Sequence, residues 1–309
     1  MMLDMGFPYL AYGTPRKLPK AKNLQGRVVV LDIAFAAEVA GSSFESTTLP
    51  LIRGLGSRLA MWVDHHDHEQ HANFASDPRF VLATKAEHGA CPEMITPELV
   101  EKAGPVDTIC CHIDFDGLCS AAKWIRGGKE PYEGADRDAH AIDTRLGKAG
   151  PVAVTIDRAL RARPKDDALK GLVVKFLVDG AQDKGVFAAI GKAAAEVQAL
   201  EEEARRLAIQ YQIEGQIAYC DARVRKHKYD KTLLLLLGQE KATVSVVYDE
   251  STVTIAARFD SGIDLLRLFQ LAGGMPTRIS LPARDLEKVM VTLKDLKIVD
   301  RAVGVSSDS

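Results

Sequence analysis

The residues able to do chemistry are crowded into the first half of this chain. Seven of its eight histidines precede residue 141, and His65, His66, His68 and His71 fall within seven positions. Aspartates accompany them: the triplet Asp64-His65-His66, the run His112-Ile113-Asp114-Phe115-Asp116 followed by Gly117, Asp32 in VVVLDIAF and Asp143 in AHAIDTR. A loop rich in aspartate and histidine is, taken alone, often solvated surface. Here the H-x-D-x-D-G run follows an apolar stretch, and alternate residues at a strand end project to one side. Carboxylate oxygens suit hard divalent ions such as Mn²⁺ and Mg²⁺, and imidazoles shift the preference toward Mn, Fe, Co or Zn. This donor set is large enough for two ions. Two ions about 3.5–4 Å apart can activate a water and clamp the attacking and leaving oxygens of a phosphoryl group, and their charge favours a phosphate transition state.

Such residues need strands to deliver them. Residues 27–33 (RVVVLDI), 58–64 (RLAMWVD) and 107–112 (DTICCH) are short apolar runs with an acidic or imidazole group at or next to their ends, as in buried strands. The stretches 97–103 and 120–125 suit helices, so strands and helices alternate as in a parallel sheet, where ligands gather at the carboxyl ends of the strands. Residues 187–211, rich in Ala, Glu and Arg with apolar residues at helical spacing, read as a connecting helix. Beyond it, 232–237, 242–248 and 252–258 read as strands, 263–271 as a helix and the final GVSSDS as a frayed tail. The expected architecture is α/β: a parallel-sheet catalytic domain over 1–186, a connecting helix over 187–211, and a smaller mixed α/β domain over 212–309.

These pieces together resemble the DHH-type phosphoesterase superfamily. The segment MWVDHHDHE carries its name-giving triplet, CHIDFDGLCSAA resembles its H-x-D-x-D-G motif, Asp32 resembles its lone bridging aspartate, and Asp143 resembles the aspartate that follows the triplet. The segment ARFDSGIDLLRLFQLAGGMPTR resembles the DHH-associated substrate-binding domain, with Arg258 matching its arginine and Gly273-Gly274 its glycine-rich loop. The order departs from the family's, because the H-x-D-x-D motif follows the triplet instead of preceding it; the catalytic domain resembles a circular permutation. Met275 stands where the family's loop carries a histidine, and Arg278, whose fork suits phosphate, is the nearby candidate to replace that cation.

The resemblance implies two divalent ions, Mn²⁺ first with Mg²⁺ or Co²⁺ as alternatives. One would be held by His112, Asp114 and Asp32, the other by Asp116, Asp32, His65 and Asp143. His66 would face the substrate, and Asp64 would orient His65 through its other ring nitrogen. It implies a phosphoesterase acting on phosphodiester bonds of short oligonucleotides, dinucleotides or single-stranded nucleic acid. A pyrophosphatase or phosphomonoesterase is the enzymatic alternative, and a metal-binding regulatory or nucleotide-binding protein with little turnover is the alternative of another class. Gly273-Gly274 as an ordinary helix cap stays open beside the phosphate loop.

Composition narrows the setting. With 309 residues, 47% hydrophobic and 27% charged, the chain suits a globular protein of two domains. A net charge of -2 argues against a general coat for duplex nucleic acid. Five cysteines at 91, 110, 111, 119 and 220 form no C-x-x-C pair and read as buried thiols. The beginning MMLDMG lacks the marks of a signal peptide, and no stretch is apolar enough to span a bilayer, so a cytoplasmic place without membrane contact is expected, with a homodimer left open. His68 and His71 are expected on exposed chain. Glu87-His88-Gly89 has no assignable place, His140 is a neighbour or a spectator of the site, and RVRKHKYDK (223–231) is a solvated loop or an attraction for a polyanion.

Overall fold

The computed structural model describes residues 7–37 and 42–294; the frayed tail expected at the C-terminus lies outside them. Six strands belong to the first half: β1 (Tyr9–Tyr12), β2 (Val28–Leu31), β3 (Leu59–Asp64), β4 (Asp67–His68), β5 (Phe80–Leu82) and β6 (Thr108–Cys111). All but β4 form one sheet in the order β1-β6-β2-β3-β5 with every pair parallel. A parallel sheet is covered on both faces, and the sequence obeys this: β2, β3 and β6 are buried at every position. The period of two divides their side chains. Val29, Leu31, Met61, Val63, Ile109 and Cys111 join one core, and Val28, Val30, Trp62 and Cys110 the other.

The helices of this half are α1 (Leu49–Leu55), α2 (Pro97–Ala103), α3 (Phe115–Ile125), α4 (Ala135–Thr144), α5 (Pro151–Ala162), α6 (Asp167–Val178) and α7 (Lys184–Ala195). Segment 187–211, read as one helix, is in fact two. α7 starts early, where the Asp183 carboxylate caps it by accepting from Gly185 and Val186 amides, and α8 (Gln198–Ala208) follows after a turn. Their cores differ too. Ile190, Ala193 and Ala194 join the helix-covered core on one face of the parallel sheet, whereas Ala204, Leu207 and Ala208 pack with Cys220, Leu234 and Val247.

The remaining elements are β7 (Gln212–Glu214), β8 (Ile217–Asp221), α9 (Lys231–Gln239), β9 (Val244–Tyr248), β10 (Thr252–Ala257), α10 (Leu265–Phe269), β11 (Gly273–Gly274), β12 (Arg278–Pro282) and α11 (Leu286–Lys294). Strands β12-β10-β9-β8-β7 form a mixed sheet in which only β8 and β9 are parallel. The run 232–237, expected as a strand, is the interior of helix α9. Its TLLLLL sequence has a single β-branched residue, leucine favours helix, and the Asp230 carboxylate caps the turn by accepting from the Leu233 amide. The short β11 leaves this half and pairs antiparallel with β4, Gly273 opposite His68 and Gly274 opposite Asp67.

Candidate metal centre

Register builds the site. Leu31 pairs with Val63 on one side and Cys111 on the other, so the next residues, Asp32, Asp64 and His112, stand in a row across three strand ends. Parallel neighbours lie about 4.8 Å apart, and their terminal side chains converge. Asp32 turns away from the strand with φ 56°, a left-handed backbone that aspartate tolerates better than most residues. Its amide still donates to the Val63 carbonyl at 2.9 Å, and the His112 amide to the Leu31 carbonyl at 3.2 Å.

After His112 the chain enters α3 at once. The Asp114 carboxylate accepts from the Gly117 amide at 3.0 Å as the helix cap. Gly117 is required here because a Cβ would lie 2.6 Å from the His112 carbonyl oxygen. The tight start places Asp116 in the first turn, where its carboxylate accepts from the Cys91 amide at 3.1 and 3.2 Å. Asp143 comes from the last turn of α4.

The structure brings all six expected ligands together. Donor atoms of Asp32, His112 and Asp114 lie within 4.8 Å of one another, as do those of His65, Asp116 and Asp143, and those of Asp32, His65 and His66. His65 Nε2 stands 3.2 Å from Asp32 Oδ1, 3.2 Å from Asp116 Oδ2 and 3.7 Å from Asp143 Oδ2. His112 Nδ1 lies 2.8 Å from Asp114 Oδ2 and 3.7 Å from Asp32 Oδ2. The two sets differ in exposure: the side chains of His112 and Asp114 are 23% and 43% exposed, those of His65 and Asp116 0% and 3%.

The donors fit divalent ions on a specific ground. Asp32 is buried, and neither of its carboxylate oxygens has a hydrogen-bond partner among the described residues. A buried anion whose nearest donor is the His65 imidazole at 3.2 Å is costly and neutralises unless a cation faces it. Burial, then Asp116 and Asp114, push the Asp32 carboxyl up to about 8. The carboxylate stands between two donor groups, Oδ1 toward His65 and Oδ2 toward His112.

His65 is aimed by a backbone group. Its Nδ1–H donates to the His88 carbonyl at 2.9 Å, which leaves Nε2 to the cluster. Asp64, expected to orient His65, instead accepts from His66 Nδ1 at 2.8 Å. Burial disfavours the Asp64 carboxylate, yet the neighbouring imidazoles, His66 foremost, hold it below the usual carboxylate range. Side chains at successive positions of an extended chain point to opposite sides, so an aspartate reaches the second imidazole of the triplet more readily than the first.

Lys85 is the residue that sequence reasoning missed. It sits in the segment after β5, is 3% exposed, donates from Nζ to His65 Nε2 at 3.1 Å and contacts the Asp143 carboxylate. Nothing in ATKAEHG announces it, because the contact depends on the path of the chain after β5.

Other expectations resolve individually. His68 and His71 are half-buried, not exposed: both rings stand edge-on to Phe35, at 5.6 and 5.1 Å, and His68 caps the turn that follows β4. Glu87 accepts from the Thr84 amide at 2.8 Å within its turn, and His88 supplies the carbonyl for His65. His140 pairs with Glu93 at 2.6 Å. Gly273 approaches His68 so closely that a Cβ would lie 2.3 Å from the ring, so the glycine pair joins β4 beside the triplet and does not simply cap a helix. Arg278 donates from Nη1 to Thr232 Oγ1 at 3.1 Å, and burial followed by neighbouring Arg145 pushes its guanidinium down to about 10. Arg258 is exposed and pairs with Asp260 at 3.0 Å.

No family model and no curated protein sequence matches this chain. Among solved structures, a pGpG-specific phosphodiesterase, PggH from Vibrio cholerae, is similar over 87% of this chain and 97% of its own, with 10% identity and a TM-score of 0.39. Exonuclease RecJ bound to manganese is similar over 88% of this chain and 78% of its own, with 13% identity and a TM-score of 0.44. At such values neither likeness assigns chemistry to this chain.

Proposed function

We propose that this protein is a metal-dependent phosphoesterase of the DHH type that hydrolyses phosphodiester bonds in dinucleotides, short oligonucleotides or single-stranded nucleic acid. The observation that carries the proposal is Asp32: a buried carboxylate whose two oxygens face separate donor groups. His112, Asp114 and Asp32 would hold one ion, and His65, Asp116, Asp143 and Asp32 the other, with Mn²⁺ suited to mixed imidazole and carboxylate donors. When bound, the ions supply positive charge to the phosphoryl group and activate water.

The chain's own groups do the rest. His66 donates its Nδ1–H to Asp64, which leaves Nε2 outside that pair; once protonated there, the imidazolium would donate to a phosphate oxygen or pass that proton to the leaving oxygen. Asp64 is a positioning residue that fixes the His66 ring. Gly273-Gly274, seated against β4, would place the second half beside the triplet, with Arg278 and Arg258 as cations for the substrate's phosphates. No described helix is long and apolar enough to cross a membrane.

Hydrolysis of pApA, short RNA, single-stranded DNA, cyclic dinucleotides and pyrophosphate in the presence of Mn²⁺ tests the reading. Turnover confined to pyrophosphate would replace it with a pyrophosphatase. One observation favours a second reading, a metal- or nucleotide-binding protein with little turnover: a lysine ammonium stands among the donors. Metal binding without turnover on any of these substrates would select it.

A further inference from the structure

Lys85 makes its direct side-chain contacts with the buried donor group. Nζ lies 3.1 Å from His65 Nε2 and contacts Asp143 Oδ2, two of the three donor atoms in the His65, Asp116 and Asp143 group. Its backbone is held as well, the Lys85 amide donating to Asp67 Oδ2 at 3.3 Å. The Asp32, His112 and Asp114 group has no lysine or arginine within ion-pair distance among the described residues.

A transition-metal ion binds imidazole nitrogen and carboxylate oxygen at about 2.0–2.2 Å. An ion that close to both His65 Nε2 and Asp143 Oδ2 would occupy the volume in which the ammonium stands, and two cations at such a separation repel strongly in a dry site. The ammonium and the ion are therefore alternatives. The lysine stem is flexible, with several rotatable bonds, so it can leave, but its departure must strip a buried cation of its partners. Among the described residues no ammonium stands in direct contact with the exposed group, although the Lys85 charge reaches Asp114.

From this we infer that Lys85 is a built-in occupant of the buried cation position, so that the chain takes one divalent ion tightly at Asp32, His112 and Asp114 and admits a second only by displacing the lysine. The inference rests on the metal-dependent reading above and makes its two positions unequal. Lys85 thus acts on ion occupancy, and need not touch substrate.

The test is a titration of the EDTA-treated full chain with Mn²⁺ by calorimetry, followed by electron paramagnetic resonance at one and two equivalents. Wild type is expected to bind one ion tightly, with a spectrum of isolated Mn²⁺ at one equivalent, and a second ion about tenfold or more weakly. Lys85→Met is expected to tighten the second ion about tenfold or more and to show the spectrum of two coupled ions. Lys85→Arg, which keeps the charge, should retain the unequal pattern. Two equally tight ions in wild type, or unchanged or weaker second-ion binding in a folded Lys85→Met, would overturn the inference and leave the metal-dependent reading standing. The wild-type spectra decide the matter even if the variant does not fold. Failure of wild type to bind any ion overturns both.

Discussion

The strand ends of the parallel sheet and the glycine loop of the second half meet at β4, yet they are built by opposite means. At the strand ends, side chains do the work: register sets Asp32, Asp64 and His112 in a row, and burial concentrates the charge of the two aspartates. At the loop, the backbone does it: Gly273 and Gly274 offer a ladder to Asp67 and His68 and an absence of side chain. The first arrangement fails when a functional group is lost. The second fails when an atom is added.

That contrast orders the expected effects of substitution. Asp116→Ala should remove turnover by about a thousandfold or more while circular dichroism stays that of the wild type, and EDTA should do the same reversibly. Near-normal Mn²⁺-supported rates in this variant would dissolve the distinction between the regions. Gly273→Ala, whose Cβ meets the His68 ring, should cost about 1–3 kcal/mol in denaturant titration. If stability is unaffected, the loop is not docked on β4 as described.

Subtler changes sharpen the comparison. Arg278→Ala should raise KM about tenfold with kcat within about twofold, because a guanidinium that binds phosphate without touching the reacting atoms affects affinity. A fall in kcat at constant KM would move Arg278 to the chemical side. Arg258→Ala should change KM by about threefold or less, since an exposed cation already paired with Asp260 is largely screened. A larger effect would mean that substrate pulls Arg258 out of that pair.

The same contrast explains what could be read from the sequence. Asp32, the triplet and the H-x-D-x-D-G run were legible because apolar strands of similar length end in them, and a parallel sheet brings strand ends together. Gly117 was part of the pattern, and its steric reason is visible only against the His112 carbonyl. Lys85 was illegible: it belongs to no strand and no spacing, and reaches the cluster through the chain's return after β5. The leucines of α9 were misread because a short apolar run has no decisive period, although Asp230 three residues before Leu233 was an available capping signal. The partner of Asp64 was misassigned although alternation along an extended chain already favours His66 over His65.

Asp32 carries a burden that extends past its chemistry. Its φ of 56° costs a residue with a side chain about 1 kcal/mol, and asparagine and glycine are the replacements that bear such a backbone most easily. Descendants of this sequence that abandon the carboxylate therefore have narrow exits: asparagine keeps the shape and loses the charge, glycine keeps the turn and loses both oxygens, and a β-branched residue sacrifices fold and chemistry together. Mutational drift at this position is channelled by geometry before selection on activity acts.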